Sequence, residues 1–139
     1  EVVECPSHML FASARMKDPA DSGDDDKTFV LSFSNCSIED GKTFDDVQAA
    51  QKEWNAYADE HGIVGGSWYF WPVGGESADA DYDFKAVGAT PNYTTVGGNF
   101  QLMADGHWRK SQEIWDGMLD CDSSRIYTGY MIREMPDDE

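Results

Sequence analysis

Residues 67–73 read SWYFWPV, and this stretch decides how the chain folds. A strand sends alternate side chains to opposite faces of its sheet. Trp68 and Phe70 then point one way, Tyr69 and Trp71 the other. A strand with large aromatics on both sides needs cover on both sides. Working outward, TFVLSFS (28–34) reads as a short, almost continuously apolar strand, and YDFKAVGA (82–89) alternates as another. Between the first two lies GKTFDDVQAAQKEWNAYADEHG. Thr43 with Asp46 makes a capping-box start, and Asp45 and Asp46 suit the positive end of a helix. Val47, Ala50, Trp54 and Tyr57 fall at helical spacing, and Gly62 closes the helix.

Thr90 followed by Pro91 predicts the start of a short, glycine-weakened helix in TPNYTTVGGNFQLMADG. HWRKSQEIWDGML places Trp108, Ser111, Gln112, Trp115, Met118 and Leu119 on one helical face, and SSRIYTGYMIR is the final strand. The order over 28–134 is β-α-β-β-α-β. The expected fold is α+β, a ferredoxin-like antiparallel sheet in spatial order 4-1-3-2 with its helices on one face. The opposite face, also apolar, calls for a cover, and a second copy is the simplest one.

The ends of the chain resemble each other. VVECPSHMLFASARMK (2–17) laid on MLDCDSSRIYTGYMIR (118–133), 116 positions later, matches Cys5 with Cys121, Ser7 with Ser123, Phe11 with Tyr127 and Lys17 with Arg133. Residues 1–19 therefore read as a strand like the last strand of a preceding repeat, and residues 20–27 as an acidic linker. Residues 135–139 form an acidic tail. A period near 116 suggests a chain cut from, or descended from, a tandem array. Residues 5–17 then add to an edge of their own sheet or, by strand addition, to a neighbour's.

The chain has 139 residues, five Trp and 13% aromatics, enough for one packed domain. Its 27 acids against 10 bases give a formal charge of −17, which disfavours nucleic acid and anionic membranes as partners. No apolar run is long enough to span a bilayer. A chain beginning at Glu1, with no leader pattern, looks like a mature product or an excised piece.

The pattern C-x-x-x-x-G-K-T, a helix bearing EWN, an aromatic strand and then DCDS before a last strand resembles the dimeric α+β-barrel superfamily, particularly its small uncharacterised members related to monooxygenase-like proteins. The likeness spans about residues 27–134 and implies two ferredoxin-like halves packed sheet to sheet. It implies little about activity, since the superfamily holds cofactor-free monooxygenases, haem enzymes, isomerases and members without a known reaction. In this fold the first and last strands are antiparallel neighbours. Cys36 ends one and Cys121 begins the other, so a Cys36–Cys121 disulfide is natural, the alternative being two buried thiols. The disulfide would imply an extracellular or other oxidising compartment. Cys5 is left unpaired, or bridges to another molecule. Asn35-Cys36-Ser37 and Asn92-Tyr93-Thr94 are glycosylation sequons.

Chemistry is less legible. His8, His61 and His107 show no ligand spacing, so no metal is expected. Haem ligation by His61 or His107 has only the resemblance behind it, and no cofactor is expected. The carboxylates of KDPADSGDDDK do not match a calcium loop. VGG at 73–75 and at 96–98 are turn glycines, FSNCS lacks the surroundings of a nucleophile elbow, and a disulfide would occupy Cys36. Trp54, Trp71, Phe84, Tyr93 and Trp108 are the candidates to line a pocket, against the plainer reading that they are core. Asn55, Asn92, Tyr69 and Tyr82 could add polar groups. Two functions follow. One is a secreted, disulfide-stabilised binding or structural module that associates with copies of itself, as a homodimer or larger assembly, and takes a hydrophobic small molecule at most. The other is a cofactor-free monooxygenase-like enzyme acting on an aromatic small molecule.

Overall fold

A computed structural model describes residues 4–5, 7–20, 27–76 and 79–132. Most of the acidic linker, the acidic tail and Arg133 lie outside the described residues. The strands are β1 (Leu10–Lys17), β2 (Thr28–Ile38), β3 (Gly66–Gly74), β4 (Phe84–Thr90), β5 (Leu119–Cys121) and β6 (Arg125–Tyr130). The helices are α1 (Phe44–Glu60), α2 (Tyr93–Leu102) and α3 (Trp108–Trp115). All strand pairs are antiparallel, in the order β1-β3-β4-β2, with β5 and β6 successive segments along the far side of β2. The fold is α+β, with one six-stranded sheet among the described residues.

Helix α1 begins where the sequence places it. Thr43 Oγ1 accepts from the Asp46 N–H at 3.4 Å, and Asp46 Oδ2 accepts from the Thr43 N–H at 2.8 Å. Gly62 closes it in the left-handed region (φ 72°), which favours glycine, and Ile63 N–H donates back to the Ala58 carbonyl at 2.9 Å. The second helix starts later than Thr90–Pro91 suggests. Thr90 is spent extending β4 opposite Val30, and Asn92 becomes the cap, its Oδ1 accepting from the Thr95 N–H at 2.8 Å. One wider, π-type turn at Met103–His107, with Gly106 at φ 124°, joins α2 to α3.

The last strand is interrupted between Cys121 and Arg125. Asp122 fills the break: it accepts from the Asn35 N–H at 2.7 Å, from Asn35 Nδ2 at 3.1 Å and from Arg125 Nη1 at 2.9 Å. Arg125, first, and the Asn35 N–H hold the Asp122 carboxyl below its ordinary value. The sign is then fixed. This contribution is complete above the unfolded carboxylate value of about 3.9 and is lost as pH falls through the lower folded value. Wild-type protein should therefore melt higher than Asp122→Asn at neutral pH, and the two should converge in strong acid. Circular-dichroism melts across the acid range read this directly; a gap that persists in acid would assign the effect to packing. The group is exposed, so the gap is modest.

The core lies between the sheet and the helices. Cys36, Val47, Tyr69 and Phe84 are its buried centre, with Phe44, Trp71, Trp115, Met118 and Leu119 packed around it. Cys36 and Cys121 face each other across β2 and β5 and form the disulfide. Its presence is compatible with an oxidising compartment.

Register assigns every strand residue to a face. Val30, Ser32, Ser34 and Cys36 pair with Thr90, Gly88, Ala86 and Phe84 on the helix side. Phe29, Leu31 and Phe33 of β2 point the other way, as do Trp68 and Phe70 of β3 and Val87 of β4. A depression of about 740 Å³ on that second face is lined by strand and connecting residues, with no helical residue among them. The sheet is thus inverted over much of its area: the side away from the helices is the greasier one. Strand β1 extends this face, packing Phe11 against Phe70 with the rings tilted and their centroids 6.2 Å apart, and β6 adds Tyr127 beside Phe33 at 5.8 Å. Phe11 and Tyr127, matched in the terminal resemblance, thus occupy the same side of the sheet on opposite flanks.

Candidate functional site

Small side chains on the helix-covered side of the sheet leave a cleft. Its floor is Ser32 and Ser34 on β2, Ser67 on β3 and Gly88 on β4. Ser32 and Ser34 are consecutive on the inner face of β2, and register sets Ser32 opposite Gly88 and Gly88 opposite Ser67. A Cβ at Gly88 would lie 2.6 Å from Ser32 Oγ, so a larger residue here would have to turn that hydroxyl aside. The walls are Gln51 and Trp54 from α1 and Trp115 from α3. Two adjoining cavities, of about 270 and 560 Å³, share Ser32, Gln51, Trp54, Ser67 and Gly88.

The polar groups around the cleft form a relay that leaves capacity for a guest. Tyr69 Oη donates to Gln51 Oε1 at 2.7 Å, Gln51 Nε2 donates to Asn55 Oδ1 at 2.7 Å, and Asn55 Nδ2 donates to the Met16 carbonyl at 2.8 Å. Burial pushes the Tyr69 hydroxyl well above its ordinary value, so it remains a neutral donor. The relay ties β1 to α1 and fixes the amide of Gln51. Ser34 and Ser124 hydroxyls pair at 2.7 Å. Ser67 Oγ is buried with no partner among the described residues. A buried hydroxyl without a hydrogen bond costs about 1–3 kcal/mol, which a bound water or ligand would relieve.

Charge enters only at the rims. Lys17 borders the smaller cavity and is held by Asp59 at 2.6 Å, and Asp120 borders the larger one. Among the described residues no unpaired cation lines the cleft to receive an anion.

Of the five aromatic candidates, Trp54 alone lines the cleft. Trp71 and Phe84 pack on each other at 4.7 Å in the core. Tyr93 and Trp108 lie on the surface, 56% and 45% exposed, which removes them from a pocket wall. Among the polar candidates, Asn55 and Tyr69 belong to the relay. Asn92 is spent on its cap, and Tyr82 pairs with Glu76 in the loop before β4. Sequence reasoning missed Gln51 and the serine floor. The signal was there in TFVLSFS, where Ser32 and Ser34 alternate with Leu31 and Phe33.

The remaining candidates are dispersed. His61 and His107 do meet: their rings are 4.9 Å apart, with Tyr57 Oη 2.7 Å from His107 Nδ1 and His61 Nδ1 donating to the Tyr57 carbonyl at 2.9 Å. His8 lies apart, exposed before β1. Among the described residues no group of three or more His, Cys, Asp or Glu is placed to hold a metal ion, and no helix is long and apolar enough to cross a membrane. Cys5 is exposed and outside the disulfide. The two sequons differ in setting. Asn35 sits in β2 with its Oδ1 accepting from Lys85 Nζ at 2.7 Å, whereas Asn92 is exposed at a helix start.

Comparison of the chain with models of known protein families, with curated proteins and with solved structures finds no match.

Proposed function

We propose that this chain is a self-associating binding module of an oxidising compartment, in which the helix-free face of the sheet closes on a second copy and the helix–sheet cleft holds a small molecule. One observation carries the association: the sheet is more apolar on its uncovered side than under its helices. Phe29, Leu31, Phe33, Trp68 and Phe70 are only partly buried in the single chain, and covering what they still expose yields about 25 cal/mol per Å² of apolar surface. Five strands about 4.8 Å apart and about six residues long span about 24 by 20 Å, on the order of 500 Å² in projection and more over the side chains. That approaches the roughly 800 Å² per partner of a stable interface.

Counted from β2, the sequence of strands β6, β2, β4, β3 is fourth, first, third, second, which supports a ferredoxin-like half of an α+β barrel. β1 supports the repeat reading. A strand resembling β6 covers the edge of β3 and shows its aromatic residue to the same face, so a β6-like strand from a neighbour would take this seat in place of β1. The Cys36–Cys121 disulfide supports secretion.

The test is molar mass in solution. Sedimentation at micromolar concentration should give a dimer or larger assembly for wild type and a monomer for Leu31→Glu, which places a charge at the middle of the face without touching the helix-side core. A wild-type chain that stays monomeric throughout would overturn the association.

A second reading, a cofactor-free monooxygenase-like enzyme acting on an aromatic molecule, draws on the cleft: Trp54 supplies a flat wall and Asn55 and Tyr69 converge beside it. Oxygen consumption with aromatic substrates, lost in Trp54→Ala, would favour it.

A further inference from the structure

We infer that the cleft over Ser32, Ser67 and Gly88 takes a neutral polyhydroxylated ligand of one or two sugar rings. This rests on the reading of the cleft as a ligand site and names what that site selects. The floor offers hydroxyl groups, each able to donate and to accept, and the wall offers the amides of Gln51 and Asn55. Such groups match a ligand whose own hydroxyls donate and accept in turn. Ser67 Oγ already lies away from water with no partner among the described residues; a hydroxyl reaching it from a polyol would supply the missing hydrogen bond, and a flat hydrocarbon would not.

The charges point the same way. A carboxylate or phosphate ligand would find Lys17 already held by Asp59 at 2.6 Å, Asp120 at the far rim and a chain of net charge −17. The walls complete the match. Trp54 and Trp115 border the cleft on the helix side, and Trp54 is backed by Tyr57, ring centroids 5.8 Å apart and nearly parallel. A pyranose ring is polar at its edge and apolar on its C–H faces, so an indole beside a row of hydroxyls fits both aspects of it. The two cavities, about 270 and 560 Å³, fit one ring and two.

The experiment titrates the full chain with glucose, galactose, mannose and cellobiose, reading tryptophan fluorescence and amide NMR shifts, with 1-naphthol and glucuronate as comparators. At least one neutral sugar should saturate at millimolar concentration. Ser67→Ala should weaken it about tenfold, the loss of one hydrogen bond of about 1.4 kcal/mol. Trp54→Ala should weaken it at least as much, and Trp71→Phe, in the core away from the cleft, should leave it unchanged. Ser67→Ala removes a single oxygen and keeps the test valid should Trp54→Ala fail to fold. Binding of 1-naphthol without any sugar would overturn the ligand class and leave the cleft a ligand site. Binding of neither would overturn both. Glucuronate binding more tightly than glucose would overturn the charge argument, and sugar binding unchanged in Ser67→Ala and Trp54→Ala would overturn the location.

Discussion

Cys121→Ser is expected to lower the stability of the fold by about 4 kcal/mol and its melting temperature by about 15 °C. The bond joins residues 85 apart in sequence, and so excludes a large set of open conformations from the unfolded chain. It also clamps β5 to β2 where only three residue pairs hold the short strand, Cys36, Ser37 and Ile38 against Cys121, Asp120 and Leu119. Cys121 is the better site for substitution because it is exposed, whereas Cys36 is fully buried at the centre of the core and its replacement would add a packing loss. Chemical denaturation with and without reductant checks the size of the effect. Cys5→Ser, outside the disulfide, should leave the midpoint where it is. A Cys121→Ser protein that melts with wild type would mean that the sheet and α1 alone hold this region.

Phe84→Ala is expected to cost about 3–5 kcal/mol. Phe84 is fully buried, with its ring 4.6 Å from Tyr69 and 4.7 Å from Trp71. It sits opposite Cys36 in register, so the hole left by its ring opens beside the disulfide. The surrounding residues include strand residues, a cross-linked cysteine and Val47 of α1; the sheet and the cross-link limit collapse into the gap, and this places the loss toward the upper end of the range. Equilibrium urea unfolding measures it. A loss below about 1 kcal/mol would show that Tyr69 and Trp71 repack into the space. Combined with Cys121→Ser, the effects should not add, because both act on the same contact between β2, β4 and β5.

The sequence by itself determined the order of elements, the start and end of α1 and the strands that would bear aromatics. These are local properties: a capping box within four residues, a glycine at a left-handed position, a two-residue alternation. It also placed Cys36 and Cys121 at neighbouring strand ends, once the order of strands was supposed. What it left open was set by contacts between distant residues. The start of α2 moved from Thr90 to Asn92 because β2 claimed Thr90 for its ladder. Trp71 and Trp108 look alike in the sequence, yet one is core and the other surface, since only packing decides which aromatic finds a neighbour. The cleft was the least legible feature. Its floor comes from small residues on three strands; the alternation in TFVLSFS marks Ser32 and Ser34 as sharing a face, but Ser67 and Gly88 carry no signal until register sets them beside Ser32. Tertiary structure alone brought Ser32, Ser67 and Gly88 together, because antiparallel pairing fixes at once which residues are opposite and which face they share.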